Sequence, residues 1–495
     1  MIIICSRIKT VLILSAAVTF GGCHSPGSDK VIPIDREPFI EPDYSGVTIP
    51  SNIAPMNFKI LEDGESFIIN LYHSDGKSEM FRSAKGLVRF PSEKWKVILD
   101  NNLGGTIKIE VLAKDKEGII RKYQPFSMSV ARSPIDPYLC YRMLYPGYES
   151  WVEMQIIVRS TESFREESLI ENQLLDNNCI NCHMFNHNNP DRFLLHVRGS
   201  RGGSYFYDGQ KITRTVLRTD NMKANAVYPA WHPGGRFVAF SSNKTVQIFH
   251  MQPGKNIEVF DLFSSLVIYD TRENRISDCN DMDTVKYMDT FPCWSPDGEY
   301  LYYCRSPQVK MDYNLTYIKY DLVRKHFDIS SGEFGKTEIV FNAHEIDKSV
   351  SFPSISPDGK YLILTLHNYG TFSIWHREAD LYIINLNTMK IEKMTVNSDE
   401  SESYHSWSSD GKWLVFSSKR SDGLTARPFF TYFESPDSVG KPFVLPQKDP
   451  TLYRRLGKTF NRPELVSGKI KAGPADFVKA SKKNPLKAVW TGKIK

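Results

Sequence analysis

From residue 51 onward, apolar and polar positions alternate in short runs instead of recurring at helical spacing. Phe67-Ile-Ile-Asn-Leu-Tyr72 runs into the turn Ser74-Asp-Gly-Lys77, and Thr106-Ile-Lys-Ile-Glu-Val-Leu112 alternates before Lys116-Glu-Gly118. Runs of this length separated by turn residues predict strands, so residues 51–134 are expected to form a small β-sandwich-like domain that acts as a spacer or docking module. Residues 193–440 continue in strands, and here a pattern repeats. Tyr228-Pro-Ala-Trp-His-Pro-Gly-Gly-Arg-Phe-Val-Ala-Phe240 is echoed by Phe291-Pro-Cys-Trp-Ser-Pro-Asp-Gly-Glu-Tyr-Leu-Tyr-Tyr303. It returns as Phe352-Pro-Ser-Ile-Ser-Pro-Asp-Gly-Lys-Tyr-Leu-Ile-Leu364 and as Tyr404-His-Ser-Trp-Ser-Ser-Asp-Gly-Lys-Trp-Leu-Val-Phe416. Each copy is strand, tight turn, strand: Pro presets the first turn dihedral, Gly takes the left-handed one, and Trp or Ile packs inward.

The markers Trp231, Trp294, Ile355 and Trp407 lie farther apart than the roughly 40 to 50 residues of a four-stranded blade, so long loops are inserted between copies. The repeat resembles the WD40-like repeat of the TolB β-propeller family, whose blades carry Trp-Ser-Pro-Asp-Gly. That resemblance implies a propeller of five or six blades. Copies depart from the pattern at His232, Ile355 and Ser409, and Phe193-Leu-Leu-His-Val197 with Ser204-Tyr-Phe-Tyr207 are expected to belong to a further blade. The fold class is therefore all-β dominated.

Between the two β regions, residues 135–192 form a connector rich in Tyr and Trp (Tyr138, Tyr141, Tyr145, Tyr148, Trp151), with a short helix expected over 164–175. These aromatic residues suit either the wall of a haem pocket or plain interdomain core. The helix is expected to deliver Cys179-Ile-Asn-Cys-His183, which matches the attachment signature of c-type haem. Two thiols add to the vinyl groups of one porphyrin, and the following histidine becomes the proximal iron ligand. Cofactor-binding residues are thus expected at Cys179, Cys182 and His183. His196 is favoured as second iron ligand over His187, Met154, Met184 and Met222, with Arg198 and Arg201 placed to neutralise propionates. His196 also suits a hydrogen-bonded blade core. A redox disulfide or half of a zinc site is the less favoured reading of the same five residues, since no second Cys-x-x-Cys or His-x-x-x-His accompanies it.

Composition bears on location. The 495 residues are 41% hydrophobic and 24% charged, a folded body longer than one ordinary core. Met1 to Gly22 differ: Arg7 and Lys9 precede the apolar run Thr10 to Phe20, a secretory signal too short for a comfortable membrane span. Its end, Phe20-Gly-Gly-Cys23, resembles a bacterial lipobox, which implies an acylated Cys23 as mature N-terminus; ordinary cleavage near Gly22 is the alternative. His24 in place of Asp favours, by the same resemblance, an outer-membrane lipoprotein. Residues 23–50 lack periodicity and are expected to be a tether. The other cysteines, Cys140, Cys279, Cys293 and Cys304, are too few for a disulfide scaffold; Cys293 and Cys304 either face each other across a hairpin or are buried thiols. Asp278, Asp281 and Asp283 lack calcium-loop spacing. Residues 441–495 read as a basic tail in which Glu464 and Asp476 are the only acids beyond Arg454, a solvated or wrapping segment or a contact for anionic lipid.

The combination resembles envelope lipoproteins described as cytochrome c domain or TolB-like proteins. It implies a membrane-anchored monohaem c-type electron carrier or redox sensor, with haem c as cofactor and the propeller as docking surface for a redox or envelope partner. A non-enzymatic TolB-like envelope scaffold or binding protein with structural or no haem is the second expectation. A haem peroxidase or envelope hydrolase is the third, although no Gly-x-Ser-x-Gly, Walker loop or paired zinc-protease histidines occur. Nucleic acid is not an expected partner of an exported chain.

Overall fold

The computed structural model describes residues 30–147, 153–252, 255–279, 286–308 and 315–492. The expectations for the signal segment, Cys23, Tyr148, Trp151, Asp281 and Asp283 lie outside them. Among the described residues strands dominate, with α-helices only at Ser92–Asn101 and Pro474–Lys482.

The N-terminal domain packs a seven-stranded sheet and a three-stranded sheet around the helix Ser92–Asn101. Trp95, Ile98 and Leu99 fall on one face of that helix and are buried, and the Trp95 indole donates to the Ile53 carbonyl at 3.1 Å. The domain begins earlier than the alternation suggests. Val31–Ile34 pairs in parallel with Ile120–Tyr123, and Val47–Ile49 with Met128–Val130, so residues 31–50 are sheet edges and not a tether. Strands of two to four residues are too short to reveal a period. One continuous core joins this domain to the last blade, where Trp413 donates to the Ser133 carbonyl at 3.3 Å. Ser409, which breaks the Ser-Pro-Asp-Gly pattern, belongs to this junction: its backbone N–H reaches Asp136 Oδ2 at 2.8 Å and its hydroxyl reaches Oδ1 at 2.5 Å. Proline has no N–H to give.

Six sheets follow, and their first strands touch in sequence: Cys179–Asn186, Ala226–Trp231, Tyr287–Trp294, Ser349–Ile355, Glu402–Trp407 and Thr459–Val466, which returns to Cys179–Asn186. This is a six-bladed β-propeller. The first blade takes its inner strand from the far end of the chain: Thr459–Val466 pairs antiparallel with Tyr138–Leu144, beyond which lie Gln155–Ser160 and Glu166–Glu171. The ring therefore closes at Val466, not near residue 440, and residues 135–192 are a blade plus the inner strand of the next. The short helix expected over 164–175 is the strand Glu166–Glu171 followed by one 3-10 turn, Asn172–Leu175. The basic segment is also built in. Leu486–Lys487 adds in parallel to the second blade and Val489–Gly492 to the third, so this end of the chain straps three blades together.

The repeated turns behave as their chemistry dictates. Ser356 and Ser408 hydroxyls bond Asp358 and Asp410 at 2.6 Å and accept the N–H of Tyr361 and Trp413, while Gly298, Gly359 and Gly411 sit at φ 79°, 72° and 70°. His232 replaces the serine by accepting the Gly234 N–H on Nδ1 at 3.0 Å. Cys293 pairs with Tyr302 and Cys304 with Thr290, so the two do not face each other, and both are free thiols.

Candidate functional site: the central channel

Every inner strand slips register by one residue against its neighbour at the same height. The slips fall between Asn181 and Met184, Val227 and Ala230, Thr290 and Cys293, Ser351 and Ser354, and Ser403 and Ser406, with a matching slip opposite Arg462-Pro463. A bulge bends a strand and re-aims the side chain it carries. Here it forces Tyr228, Phe291, Phe352, Tyr404 and Arg462 to φ of 48°, 51°, 52°, 49° and 51°. For bulky residues this left-handed geometry costs about 1–3 kcal/mol each and persists only where surrounding structure imposes it. Its result is a collar across the channel: Tyr228 meets Phe291 at 4.7 Å, Phe291 meets Phe352 at 4.1 Å, Phe352 meets Tyr404 at 4.9 Å, and the Arg462 guanidinium lies 5.9 Å from the Phe352 ring.

This register decides what Cys182 and His183 are within the fold. They occupy in the second blade the positions held by Tyr228-Pro229, Phe291-Pro292, Phe352-Pro353, Tyr404-His405 and Arg462-Pro463 in the others. Tryptophan bonding agrees with the alignment: Trp407 donates to the Ser354 carbonyl and Trp231 to the Met184 carbonyl, each at 3.3 Å, one position past the slipped pair.

His183 is 1% exposed, and its ring meets the backbone at Arg462 and Cys140. Burial, reinforced by Arg462 and Arg142, pushes its pKa down to about 3, so the imidazole is neutral. Its Nε2 lies 4.0 Å from Glu464 Oε2, a carboxyl that burial raises to about 8 although Oε1 accepts the Phe185 N–H at 2.9 Å. A neutral acid, 14% exposed, and a neutral, enclosed imidazole thus stand side by side at the collar.

The collar separates two cavities. The smaller, about 210 Å³, is walled by Phe185, His187, Trp231, His405 and Glu464 among others. The larger, about 510 Å³, opens on the side of Cys179 and lies within the size range of small-ligand pockets, roughly 300–1,000 Å³. Among the described residues its wall holds six basic side chains, Arg142, Arg198, Arg218, Lys223, Lys244 and Lys419, and no Asp or Glu. Four of them are exposed around the rim, whereas Arg142 is half-buried and Lys419 is buried. Lys419 Nζ sits 3.8 Å from the Trp375 ring centre, and desolvation lowers its pKa to about 7.

The residues expected to hold haem are scattered across this arrangement. Cys179 borders the larger cavity beside Met154 and Arg142, whose Nη2 is 3.4 Å from the Met154 sulfur. His196, in the second strand of the blade opposite Asn181, is buried and within 3.3 Å of Ser204 Oγ; its pKa falls to about 3 through burial. Arg198 lines the larger cavity, but Arg201 is ion-paired with Asp176 at 2.6 Å outside it. Met184 and His187 lie on the other side of the collar, and Met222 packs between blades. Of the candidates for a second iron ligand, only Met154 shares a cavity with Cys179.

Tested against haem, the donors suit the group in kind, since a neutral imidazole is what iron ligation requires. Their placement does not suit it. An extended strand sets the Cα atoms of Cys179 and His183 about 13 Å apart, against about 6 Å over one helical turn. His183 borders neither cavity and is enclosed against Glu464. As folded, Cys179 and His183 are not gathered about one porphyrin. Sequence reasoning missed Arg142, Arg218, Lys223, Lys244 and Lys419, which come from separate blades. The collar, by contrast, was marked by the recurring Tyr-Pro and Phe-Pro pairs.

No family model matches the chain, and no curated protein matches it. Among solved structures, a chain of a nidogen/laminin complex aligns with 67% of this chain and 100% of its own length at 9% identity, TM-score 0.40. A prolyl endopeptidase aligns over 54% of this chain and 36% of its own at 14% identity, TM-score 0.34. Hydrazine synthase of Kuenenia stuttgartiensis aligns over 50% and 75% at 15% identity, TM-score 0.28. At these scores the likenesses carry no functional argument, and the propeller rests on its own strand pairing. Among the described residues no helix is long and apolar enough to cross a membrane, and no cluster of three or more His, Cys, Asp or Glu could hold a metal ion.

Proposed function

We propose that the chain is a non-enzymatic, TolB-like binding protein of the bacterial envelope, anchored through lipid on Cys23, whose propeller receives an anionic small ligand in the larger channel cavity. The observation that supports it is a wall of six basic side chains with no carboxylate among the described residues. Cations of one sign around a concave, partly dry site raise the local concentration of anions and hold them there. Arg142 and Lys419 sit deepest and fix the charged group, the rim cations steer it in, and the collar stops it from passing to the second cavity. Titrating the full chain with small carboxylates tests this reading: saturable binding that weakens with salt is expected, and no binding at low ionic strength refutes it.

A second reading is favoured by the neutral imidazole that His183 brings to the Cys-x-x-Cys-His run. A covalent haem on Cys179 and Cys182 would supply one-electron chemistry and make the protein an electron carrier; holding it requires the bulged strand to leave its ladder. Protein matured with a haem-attachment system and stained for haem on a denaturing gel tests that reading directly.

A further inference from the structure

We propose that the larger cavity takes a small carbonyl compound bearing an anionic group, and that the ε-amine of Lys419 condenses with its carbonyl carbon to form an imine; this rests on the anion-binding reading above and adds the functional group of the ligand. Lys419 follows the strand Trp413–Ser418 of the last blade and is pinned by its backbone. Its N–H donates to the Ser401 carbonyl at 3.0 Å, and its carbonyl accepts the N–H of Asp422 at 3.2 Å and of Gly423 at 2.8 Å. The residue is 4% exposed, yet it lines the cavity. Its Nζ lies 3.8 Å from the Trp375 ring centre, and among the described residues no acceptor hydrogen-bonds it.

The charged groups around the amine are committed elsewhere. Glu400 pairs with Arg377 at 3.1 Å and Arg420 with Glu402 at 3.0 Å, while Asp422 accepts the N–H of Leu424 at 2.9 Å and of Thr425 at 2.7 Å. Asp422 and Glu400 therefore act on Nζ only through space and do not offset its desolvation, which is why the pKa falls to about 7 from an ordinary 10.5. At pH 7 the neutral fraction of Lys419 exceeds that of an exposed lysine on the order of a thousandfold. A neutral, desolvated amine is a nucleophile for carbonyl carbon. Arg142 and the four exposed rim cations ask for an anion, whereas this amine asks for an electrophile, and one molecule carrying both groups answers both. The step needs no oxidant or reductant. The Nζ lone pair forms the new C–N bond, the carbonyl oxygen takes one proton from the amine and one from solvent and leaves as water, and the protonated imine keeps the positive charge of a protonated lysine.

The test is trapping on the full chain at pH 7 and low ionic strength with cyanoborohydride and a limiting amount of glyoxylate, glyceraldehyde 3-phosphate or neutral propanal. Peptide mass spectrometry reads the label at Lys419 relative to the exposed lysines, and glycolate, which lacks the carbonyl, is titrated in parallel by calorimetry. Lys419 is expected to be labelled first, and an anionic aldehyde is expected to favour it about tenfold more than propanal does, an excess that high salt removes and Arg198→Ala lowers about threefold. Arg198 is exposed, so the fold is retained, which an unchanged melting temperature verifies. An excess with either anion bears the proposal out, and the larger of the two tells carboxylate from phosphate. Label spread over exposed lysines with Lys419 unmodified, while glycolate binds, overturns the imine and leaves the anion-binding reading intact. Label at Lys419 that is equal for propanal and both anions overturns the anionic ligand class. Absence of both label at Lys419 and glycolate binding overturns both readings.

Discussion

Replacing Glu464 with Gln isolates the buried acid beside His183. In the folded chain this carboxyl stays protonated up to about pH 8, because burial opposes its charge and Phe185 N–H and Arg462 only partly compensate. In the unfolded chain it ionises near 4.5, as an ordinary glutamate does. The folded state therefore binds the extra proton across this window, and stability is lost as pH rises from about 4.5 to about 8. Each pH unit inside the window is worth about 1.4 kcal/mol, so between pH 6 and pH 8 the wild-type chain should lose about 2–3 kcal/mol that the variant does not. Glutamine is isosteric with the neutral acid and still accepts the Phe185 N–H, so the two proteins should be close in stability at the acidic end. The comparison uses melting temperatures of both proteins at pH 5, 6, 7 and 8, where every other titrating group cancels in the difference. A gap that widens with pH in favour of Glu464→Gln is expected. Curves that stay parallel would mean Glu464 ionises normally in the folded chain, and the neutral acid–imidazole pair described at the collar would be wrong.

Three further outcomes follow from the architecture. Ending the chain after Val466 should leave a closed ring with a lowered melting temperature, whereas ending it before Thr459 should give no soluble monomer on size-exclusion chromatography, since the first blade then lacks its inner strand. Gly298→Ala should cost clearly more than Gly359→Ala in chemical denaturation: both require positive φ, worth about 1 kcal/mol, but only at 298 does a Cβ meet another atom closely, His232 Nε2 at 2.4 Å. Cys179→Ala combined with Cys182→Ala should leave the circular dichroism spectrum unchanged; covalent haem in the wild-type protein that vanishes in this variant would establish the second reading.

The propeller was legible because four copies of one strand-turn-strand motif survive in the sequence, each held by side-chain chemistry that leaves a trace: Pro, Asp and Gly in the turn, an aromatic at the bulge, Trp one blade-contact later. The two remaining blades were not, for a physical reason. At the bulge only the backbone geometry is required, and the side chain answers to the channel. Cys182-His183 and Arg462-Pro463 satisfy the first condition without resembling the other copies, and Thr459–Val466 is separated from the blade it completes by most of the chain. Pairing between distant strands has no local signature. The cationic cavity was illegible for the same reason, since its six charges look like ordinary surface residues until the ring assembles them.

The five-residue run at 179–183 shows how one stretch can carry two meanings. Chemistry reads it as two thiols and an imidazole at fixed spacing, while the fold uses its last two residues as the sixth member of a collar. These demands conflict in conformation, because a shared porphyrin needs the donors gathered and a blade needs them extended. Where a repeat departs from its own pattern, a structural substitute shows compensation nearby, as Ser409 does with Asp136 and His232 with Gly234. Histidine stands at the proline position of the bulge twice, and both rings find the backbone: His405 Nε2 lies 3.0 Å from the Ile363 carbonyl, and His183 meets the backbone at Arg462 and Cys140. What sets His183 apart is its neighbour, since its Nε2 lies 4.0 Å from Oε2 of a carboxyl that burial keeps protonated, so the collar joins a titratable pair to the packing that the other blades supply with proline.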